Sequence, residues 1–360
     1  MNRKLLLSGL MILLGYSSFA QNKIPVIKAT SDAVDIREGK NYTKNAWWIT
    51  PEKRPDIYIT SKKNKKVTFY TNTDAITFRV KPYKTYDFII LLNNKDSAYT
   101  QIRYLPTYLE VLQNSKKYNY SDKRSILDYS YTSQNSPELI DLREKFNLDS
   151  VAGKGDEISR ILNLLHWVHY SFLYDGTKDA PDHDGIADLM TKCLKNHRTM
   201  HCGALASVLN DCYLAENLKS RKVVCLPKDS TDFDCHSINT VYSETLNKWI
   251  WIDPTNNAYV MDETGVLLSI AEVREHLING KPLILNPDAN VNRAFSVTKE
   301  NYLNEYMAKN LYAFQCYAEP KGDSQSNLLL PLDYKGVIPR TRMNNPKCTN
   351  NPDIFWAKPQ

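Results

Sequence analysis

Hydrophobic and polar positions alternate with a period of two over residues 55–104, a pattern that is typical of antiparallel strands. Runs of polar residues interrupt the alternation at residues 72–74 and 93–96, and residues of these types favour tight turns. The pattern predicts a small all-β domain, which we place at residues 21–110. A polar, tyrosine-rich connector at residues 111–148 follows it.

Beyond the connector the apolar period changes to that of a helix. Apolar residues between 156 and 172 recur at helical spacing, and a second apolar stripe begins at Cys202 and continues through Leu205, Val208 and Leu209. Three β-rich segments then occupy residues 221–227, 236–243 and 248–253, and a helix is expected to end at the C-capping Gly280. We therefore predict an α+β core at residues 149–290, with a C-terminal extension at 291–360 that packs on the core.

The first twenty residues are set apart by their composition. A short basic start precedes an apolar run, and the stretch ends in the small residues of "SSFA". This order predicts a secretory signal that is cleaved after Ala20, and hence a secreted or periplasmic protein. No later segment reaches 18 apolar residues, so we expect no membrane insertion after cleavage.

Charge and cysteine content narrow the class of protein further. The formal net charge is +6 and no basic block is interleaved with aromatic residues, so nucleic acid is not an expected partner. The seven cysteines are an odd number, so at least one thiol stays unpaired if the others form disulfides. Cys316 and Cys348 are a candidate disulfide pair.

Cys202 is the first candidate for chemistry. Its place in the first turn of the predicted helix puts it beside unpaired backbone N–H groups and the positive end of the helix dipole, which favour a thiolate. The same N–H groups could stabilise an oxyanion. A cysteine of this kind is more often structural than catalytic, so its partners decide the interpretation.

The segments 236–243 and 248–253 supply those partners. If residues 243–247 form the hairpin loop, Tyr242 pairs with Lys248, and His236 lies opposite Pro254, next to Asp253. The carboxylate could then fix the tautomer of the imidazole, and the imidazole could hold Cys202 as a thiolate.

These residues carry a family resemblance. A cysteine at a helix start, a strand ending in "SRKVV", a strand that begins with histidine and a strand that closes in "WIWIDPT" resemble the transglutaminase-like superfamily over roughly residues 150–270. The resemblance implies a papain-like thiol-enzyme core in which Cys202 is the nucleophile, His236 the base and Asp253 the residue that orients it. The sequence departs from the family at "MHCGA", because many members have a glycine two residues before the cysteine.

Other residues have competing interpretations. Trp249 and Trp251 share the face of Asp253, where they could shield the His–Asp pair, and together with His201 they are the candidates for substrate contact. As a base, His201 would be poorly placed, since adjacent helical residues point about 100° apart. Trp167 could donate to an oxyanion but fits core packing better. Asn256 could be a second polar residue that orients the site.

Metal sites are also conceivable. Cys193, His197, His201 and Cys202 could suggest zinc, but their spacing matches no common structural site. Asp182, Asp184 and Asp188 superficially resemble a calcium loop, but they lack its later glutamate, and an acidic helix start explains them better. We therefore expect no metal and no other cofactor.

The sequence favours an exported thiol enzyme that cleaves or transfers an amide acyl group through a thioester. Its substrate would be a protein or peptide, such as a cell-wall peptide. Water is the simpler acyl acceptor, because no amine-binding feature is recognisable, which favours a peptidase or amidase over a transglutaminase. The alternative is a non-catalytic binding or scaffold protein of the cell envelope that retains the fold.

Overall fold

The computed structural model describes residues 24–319, 325–334 and 346–359, and the predicted signal at residues 1–20 lies outside the described residues. The chain divides after Pro106 into two compact units. Within the described residues, no helix has both the length and the apolar character needed to cross a membrane. The structure mixes helices and several sheets.

The first unit is built from two four-stranded sheets, ordered β1-β7-β8-β4 and β3-β2-β5-β6. Their inner faces supply one shared apolar core, which includes Val67, Phe69, Phe88 and Ile90. The strands are β1 (Val26–Ala29), β2 (Ala33–Glu38), β3 (Asn41–Trp48), β4 (Asp56–Thr60), β5 (Lys66–Tyr70), β6 (Ala75–Arg79), β7 (Thr85–Leu92) and β8 (Asp96–Tyr104).

The hairpins of this unit turn where the polar runs predicted them, between β5 and β6 and between β7 and β8. In the second hairpin Asn93 and Asn94 both have positive φ, 54° and 53°. Two consecutive left-handed residues match the right-handed twist of the flanking strands, and asparagine tolerates this conformation at low cost.

The second unit begins with six helices. These are α1 (Tyr108–Gln113), α2 (Pro137–Phe146), α3 (Leu148–Ala152), α4 (Glu157–Ser171), α5 (Ile186–Asn196) and α6 (Cys202–Ala215). The helix α6 is apolar on most of its surface, and its residues Leu205, Val208 and Leu209 are almost fully buried in one core with residues of α2 to α5.

A six-stranded sheet, ordered β11-β10-β9-β16-β17-β18, runs through this unit. Its pairs are antiparallel except for β17 with β18. The strands are β9 (Ser220–Leu226), β10 (His236–Ser243), β11 (Lys248–Ile252), β16 (Ala313–Tyr317), β17 (Ser326–Leu329) and β18 (Lys347–Thr349). Residues beyond 290 therefore supply half of this sheet and do more than cover its surface.

The sheet separates two hydrophobic cores. Val241, Ile250 and Ile252 belong to the core that contains α6, whereas Ile238 and Trp251, which point to the opposite face, belong to the other. The second core packs against α7 (Ile270–Asn279), a π-helix (Glu300–Met307), α8 (Ala308–Asn310) and α9 (Pro352–Phe355). The short pairs β12 (Val260–Met261) with β13 (Ile284–Leu285) and β14 (Asn290–Val291) with β15 (Phe295–Ser296) lie between these elements in the chain.

The predicted helix end at Gly280 is confirmed. Helix α7 starts with a capping box between Ser269 and Glu272, and Gly280 follows its last residue with φ of 64°. Glycine adopts this left-handed conformation without the steric cost that a Cβ would bring.

The candidate Cys316–Cys348 disulfide is wrong in this structure, where both residues have free thiols. Cys316 lies on β16 and Cys348 on β18, with β17 between them. Two strand spacings are about 9.5 Å, well beyond the Cα separation of about 4.4–6.8 Å that a disulfide allows. Cys316 instead lies 3.5 Å from the Lys222 carbonyl oxygen, to which its thiol donates.

Candidate active site

Helix α6 places Cys202 at its first residue, as the apolar stripe predicts. His201 is the N-cap, with an extended backbone (φ −76°, ψ 169°), and its Nδ1 accepts a hydrogen bond of 3.2 Å from the Ala204 N–H. A Cβ added at Gly203 would come within 3.1 Å of the His201 ring. The glycine therefore leaves room for the imidazole to fold back over the helix start.

The hairpin that carries the other two residues differs by one position from the predicted register. Ser243, and not Tyr242, pairs with Lys248, so four residues make the turn. Glu157 of α4 organises this turn, because its carboxylate accepts hydrogen bonds from the Ser243 hydroxyl at 2.6 Å and the Glu244 N–H at 2.9 Å. This support comes from a residue 86 positions earlier in the chain, which a local pattern does not reveal.

The one-residue shift leaves His236 and Asp253 together. The Nε2 atom of His236 lies 2.7 Å from Oδ2 of Asp253, and the two side chains are 1% and 0% exposed. The other ring nitrogen, Nδ1, is buried and has no hydrogen-bond partner of conventional geometry among the described residues. Nδ1 is thus the nitrogen available to the Cys202 thiol.

Asp253 is a fully buried carboxylate with its hydrogen bonds satisfied. Oδ2 accepts from His236, from the Tyr302 hydroxyl at 2.5 Å and from Asn256 Nδ2 at 2.9 Å. Oδ1 accepts from the backbone N–H groups of Thr255 at 2.8 Å and Asn256 at 3.3 Å. A buried charge is tolerated only when it is paired and hydrogen-bonded in this way. Asn256 therefore does help to orient the carboxylate.

The electrostatics of the site favour charge separation between thiol and imidazole. Burial opposes ionisation of Cys202, but hydrogen bonds with His201 and His236, the charge of His236 and the Ser237 N–H lower the pKa of the thiol to about 5. Burial likewise opposes the charged form of His236, yet the charge and hydrogen bond of Asp253 raise its pKa well above the usual range. Burial also opposes ionisation of Asp253, but His236, Tyr302 and Asn256 hold the pKa of that carboxyl below its ordinary value.

His201 lies at the N-cap of α6 and not within the helix, as its expected role assumed. The poor contact expected with Cys202 assumed that both residues are helical, but His201 is extended and its ring reaches the thiol. Its Nδ1 is committed as an acceptor to Ala204. His201 therefore both caps the helix and hydrogen-bonds with the Cys202 thiol.

Sequence analysis missed three residues of the segment that contains the π-helix and α8. Tyr302 donates to Asp253, the Tyr306 ring contacts the His236 ring edge-on at 5.2 Å, and Lys309 donates to the Asp234 carbonyl oxygen at 2.8 Å. The three are spaced at i, i+4 and i+7, so one side of this segment supports His236, Asp253 and the loop before His236. Two tyrosines four residues apart indicate a helical face, but nothing local indicates what that face contacts.

His169 and Trp167, on α4, have structural partners. His169 is buried, and its ring nitrogens lie 2.9 Å from the Pro254 carbonyl oxygen and 2.9 Å from Asn290 Oδ1. It thereby anchors the turn that follows Asp253. Trp167 makes edge-on contacts with Phe146 and Phe172 at 6.1 and 6.2 Å, in keeping with core packing.

The two tryptophans of β11 lie deep in the protein. Trp251 is 0% exposed and contacts the Tyr302 ring edge-on at 6.3 Å. Trp249 is 4% exposed and donates through its indole N–H to the Trp356 carbonyl oxygen at 3.0 Å. In this structure they offer little surface to a ligand, and a substrate role for Trp249, Trp251 or His201 stays a prediction.

Several residues considered for metals have structural roles of their own. The described part of the chain holds no group of three or more His, Cys, Asp or Glu side chains arranged to bind a metal. Cys193 is buried in the helical core, and Asp188 accepts from the Asp184 N–H at 3.1 Å while pairing with Lys192 at 2.7 Å. Asp188 thus lies in the acidic first turn of α5, as the explanation by a helix start predicts.

Comparisons with known proteins leave the family open. No protein-family model and no curated protein match the sequence. Among solved structures, a candidate cysteine protease from Cytophaga hutchinsonii is 14% identical with a TM-score of 0.27, over 41% of this chain and 48% of that one. The red sea bream transglutaminase is 10% identical with a TM-score of 0.23, over 65% of this chain and 49% of that one. The chain spans about half the length of each.

Proposed function

We propose that this protein is a transglutaminase-like thiol enzyme that cleaves amide bonds through a thioester. Cys202 is the nucleophile, His236 the general base and acid, and Asp253 the residue that orients the imidazole. One observation carries the proposal: a buried His236–Asp253 pair, 2.7 Å apart, stands beside a helix-start thiol whose pKa is lowered to about 5.

The reaction follows from the protonation states. The Cys202 thiolate attacks the carbonyl carbon, and the C=O electron pair moves to oxygen. When this intermediate collapses, the C–N bond breaks, and the imidazolium of His236 gives its Nδ1 proton to the departing amine. His236, now neutral, takes a proton from water as the water attacks the thioester, and it stays an imidazolium when the C–S bond breaks and the thiolate leaves.

The acyl-enzyme provides the test. The purified protein is treated with p-nitrophenyl acetate, a generic acyl donor, and the acetylated peptide is mapped by mass spectrometry. We expect the acetyl group on Cys202, abolished in Cys202→Ser and strongly reduced in His236→Ala. Cys348 is an internal control, because it is also half-buried but burial raises the pKa of its thiol. Acetylation spread evenly over the cysteines, or its absence, would favour the non-catalytic scaffold.

We further propose water as the acyl acceptor and a peptide, such as a cell-wall peptide, as the donor. Adding a primary amine such as methylamine to a peptide-amide reaction separates the two fates of the thioester. Free acid as the main product supports a peptidase or amidase, whereas the methylamide as main product would mean that acyl transfer is the activity. Export is a proposal of the same kind, and a mature protein starting at Gln21 would support it.

A further inference from the structure

Two tyrosine hydroxyls near the nucleophile have no part in the triad. Tyr174 follows α4, and Tyr306 lies on the π-helix. Neither hydroxyl makes a hydrogen bond to any residue that the structure describes, although both side chains are partly buried. An ordered phenol that leaves its donor unused beside a nucleophile is available to a reacting group.

The backbone of Tyr174 is held firmly next to the start of α6. Its N–H donates to Asn292 Oδ1 at 2.8 Å, and its carbonyl oxygen accepts from Asn292 Nδ2 at 2.9 Å. Tyr174 also forms a parallel bridge with Met200, two residues before Cys202. The hydrogen bonds of this bridge join Met200 to Leu173 at 2.9 Å and to Asp175 at 3.0 Å. The phenol is therefore carried by a backbone fixed to the same chain segment as the nucleophile.

The hydroxyl end of Tyr174 occupies the space that a side chain at position 176 would fill. A Cβ added at Gly176 would overlap the Tyr174 hydroxyl oxygen and would lie 3.1 Å from Cζ. The absence of a side chain at this position lets the phenol lie against the backbone. Burial and then the charge of Cys202 raise the pKa of Tyr174 to about 12, so the hydroxyl keeps its proton across the working range of the thiolate.

The first turn of α6 offers matching donors. The Ala204 N–H is used by the His201 cap, whereas the N–H groups of Cys202 and Gly203 bond to no residue that the structure describes. Two backbone N–H groups and one phenol hydroxyl are donors of the kind that stabilise an oxyanion.

We propose that Tyr174 is a catalytic residue that donates a hydrogen bond to the oxyanion formed when Cys202 attacks an acyl carbonyl. As the C–S bond forms, the C=O electron pair becomes a lone pair on oxygen, and the Tyr174 O–H and the helix-start N–H groups stabilise that charge. When the oxyanion collapses, the electron pair restores C=O and the leaving group departs. This role rests on the proposed thiol-enzyme function.

Tyr306 is the natural comparator. Its ring contacts the edge of His236 at 5.2 Å, and Cys202 is one of the charges that raise its pKa. Tyr306 therefore packs against the imidazole of His236. Its backbone lacks the bridge to Met200 that holds Tyr174.

The test separates oxyanion stabilisation from thiolate formation. Acylation is followed as the first-turnover release of p-nitrophenolate from p-nitrophenyl acetate, and thiolate reactivity as alkylation by iodoacetamide at pH 6. Alkylation displaces iodide from a saturated carbon and forms no oxyanion. We expect Tyr174→Phe to slow acylation by about 10²–10³-fold and to leave alkylation unchanged.

Further variants sharpen the comparison. Gly176→Ala should reproduce the loss, because the phenol end moves more easily than backbone, whereas the exposed Tyr83→Phe should acylate normally. Wild-type acylation in Tyr174→Phe, a loss found in Tyr306→Phe instead, or a parallel loss of alkylation would each overturn the assignment. Failure of the proposed function is distinct, because the unmodified protein would then show neither acylation nor selective alkylation.

Discussion

The thiolate at Cys202 gives a quantitative prediction for alkylation against pH. The pKa of about 5, against an ordinary value of 9.0, means that the thiol is ionised above about pH 5 and loses its charge as the pH falls through that value. The raised pKa of His236 keeps the imidazolium protonated to well above neutral pH. Alkylation of Cys202 by iodoacetamide should therefore rise near pH 5 and then stay flat through neutrality.

The expected difference in alkylation rate between Cys202 and an ordinary thiol follows from two opposing effects. At pH 6 a thiol of pKa about 5 is roughly 90% ionised and one of pKa 9.0 roughly 0.1%, a ratio of roughly 900. A less basic thiolate is also less nucleophilic, and a Brønsted coefficient of about 0.4–0.5 over four pKa units reduces the advantage by roughly 40- to 100-fold. At pH 6 Cys202 should therefore be alkylated roughly ten- to twentyfold faster than an ordinary thiol.

The assay is brief iodoacetamide treatment between about pH 4 and pH 9, with peptide mass mapping of each cysteine. Cys348, half-buried like Cys202, serves as the reference in the same sample. In His236→Ala the midpoint should move towards 9.0, and labelling at pH 6 should fall roughly tenfold. If Cys202 of the wild-type protein titrates near 9.0, or is labelled no faster than Cys348, the thiolate–imidazolium pair is refuted.

Two variants test the structural support of the site. Tyr302→Phe removes the hydroxyl that donates to Asp253 at 2.5 Å, so we expect the free energy of unfolding, measured by urea denaturation, to fall by about 1.5–3 kcal/mol; an unchanged value would contradict this hydrogen bond. Arg221→Lys removes a guanidinium that donates to the Phe355 and Ala357 carbonyl oxygens at 3.3 and 3.1 Å. We expect this variant to be cleaved faster by carboxypeptidase, and cleavage at the wild-type rate would show that this contact does not hold the C-terminal segment.

Controls for these variants come from the same chain. Tyr306→Phe is the match for Tyr302→Phe, because its hydroxyl has no hydrogen-bond partner among the described residues and its loss should cost less. For the second variant, Arg79→Lys changes an exposed arginine of the first unit, whose side chain donates to the Asn64 carbonyl oxygen at 3.2 Å. It should leave cleavage of the last residues unaltered.

The sequence alone determined the local features of the candidate site. An apolar helical stripe that starts at Cys202 places this residue in the first turn whatever packs around it. The hairpin places His236 near Asp253 because only 17 residues separate them and strand pairing is a local event. The capping box of α7 and the asparagine turn of β7 and β8 depend in the same way on residues close in sequence.

Tertiary structure decided what depends on residues far apart in the chain. Glu157 organises the hairpin turn from 86 positions away, and Tyr302 reaches Asp253 from 49 positions away. The placement of β17 between β16 and β18 separates Cys316 from Cys348. Such contacts depend on which buried surfaces meet once the chain has folded, and periodicity describes only which face of each element is buried. The sequence therefore indicated the three residues of the proposed triad, and only the fold supplied the side chains that hold them in place.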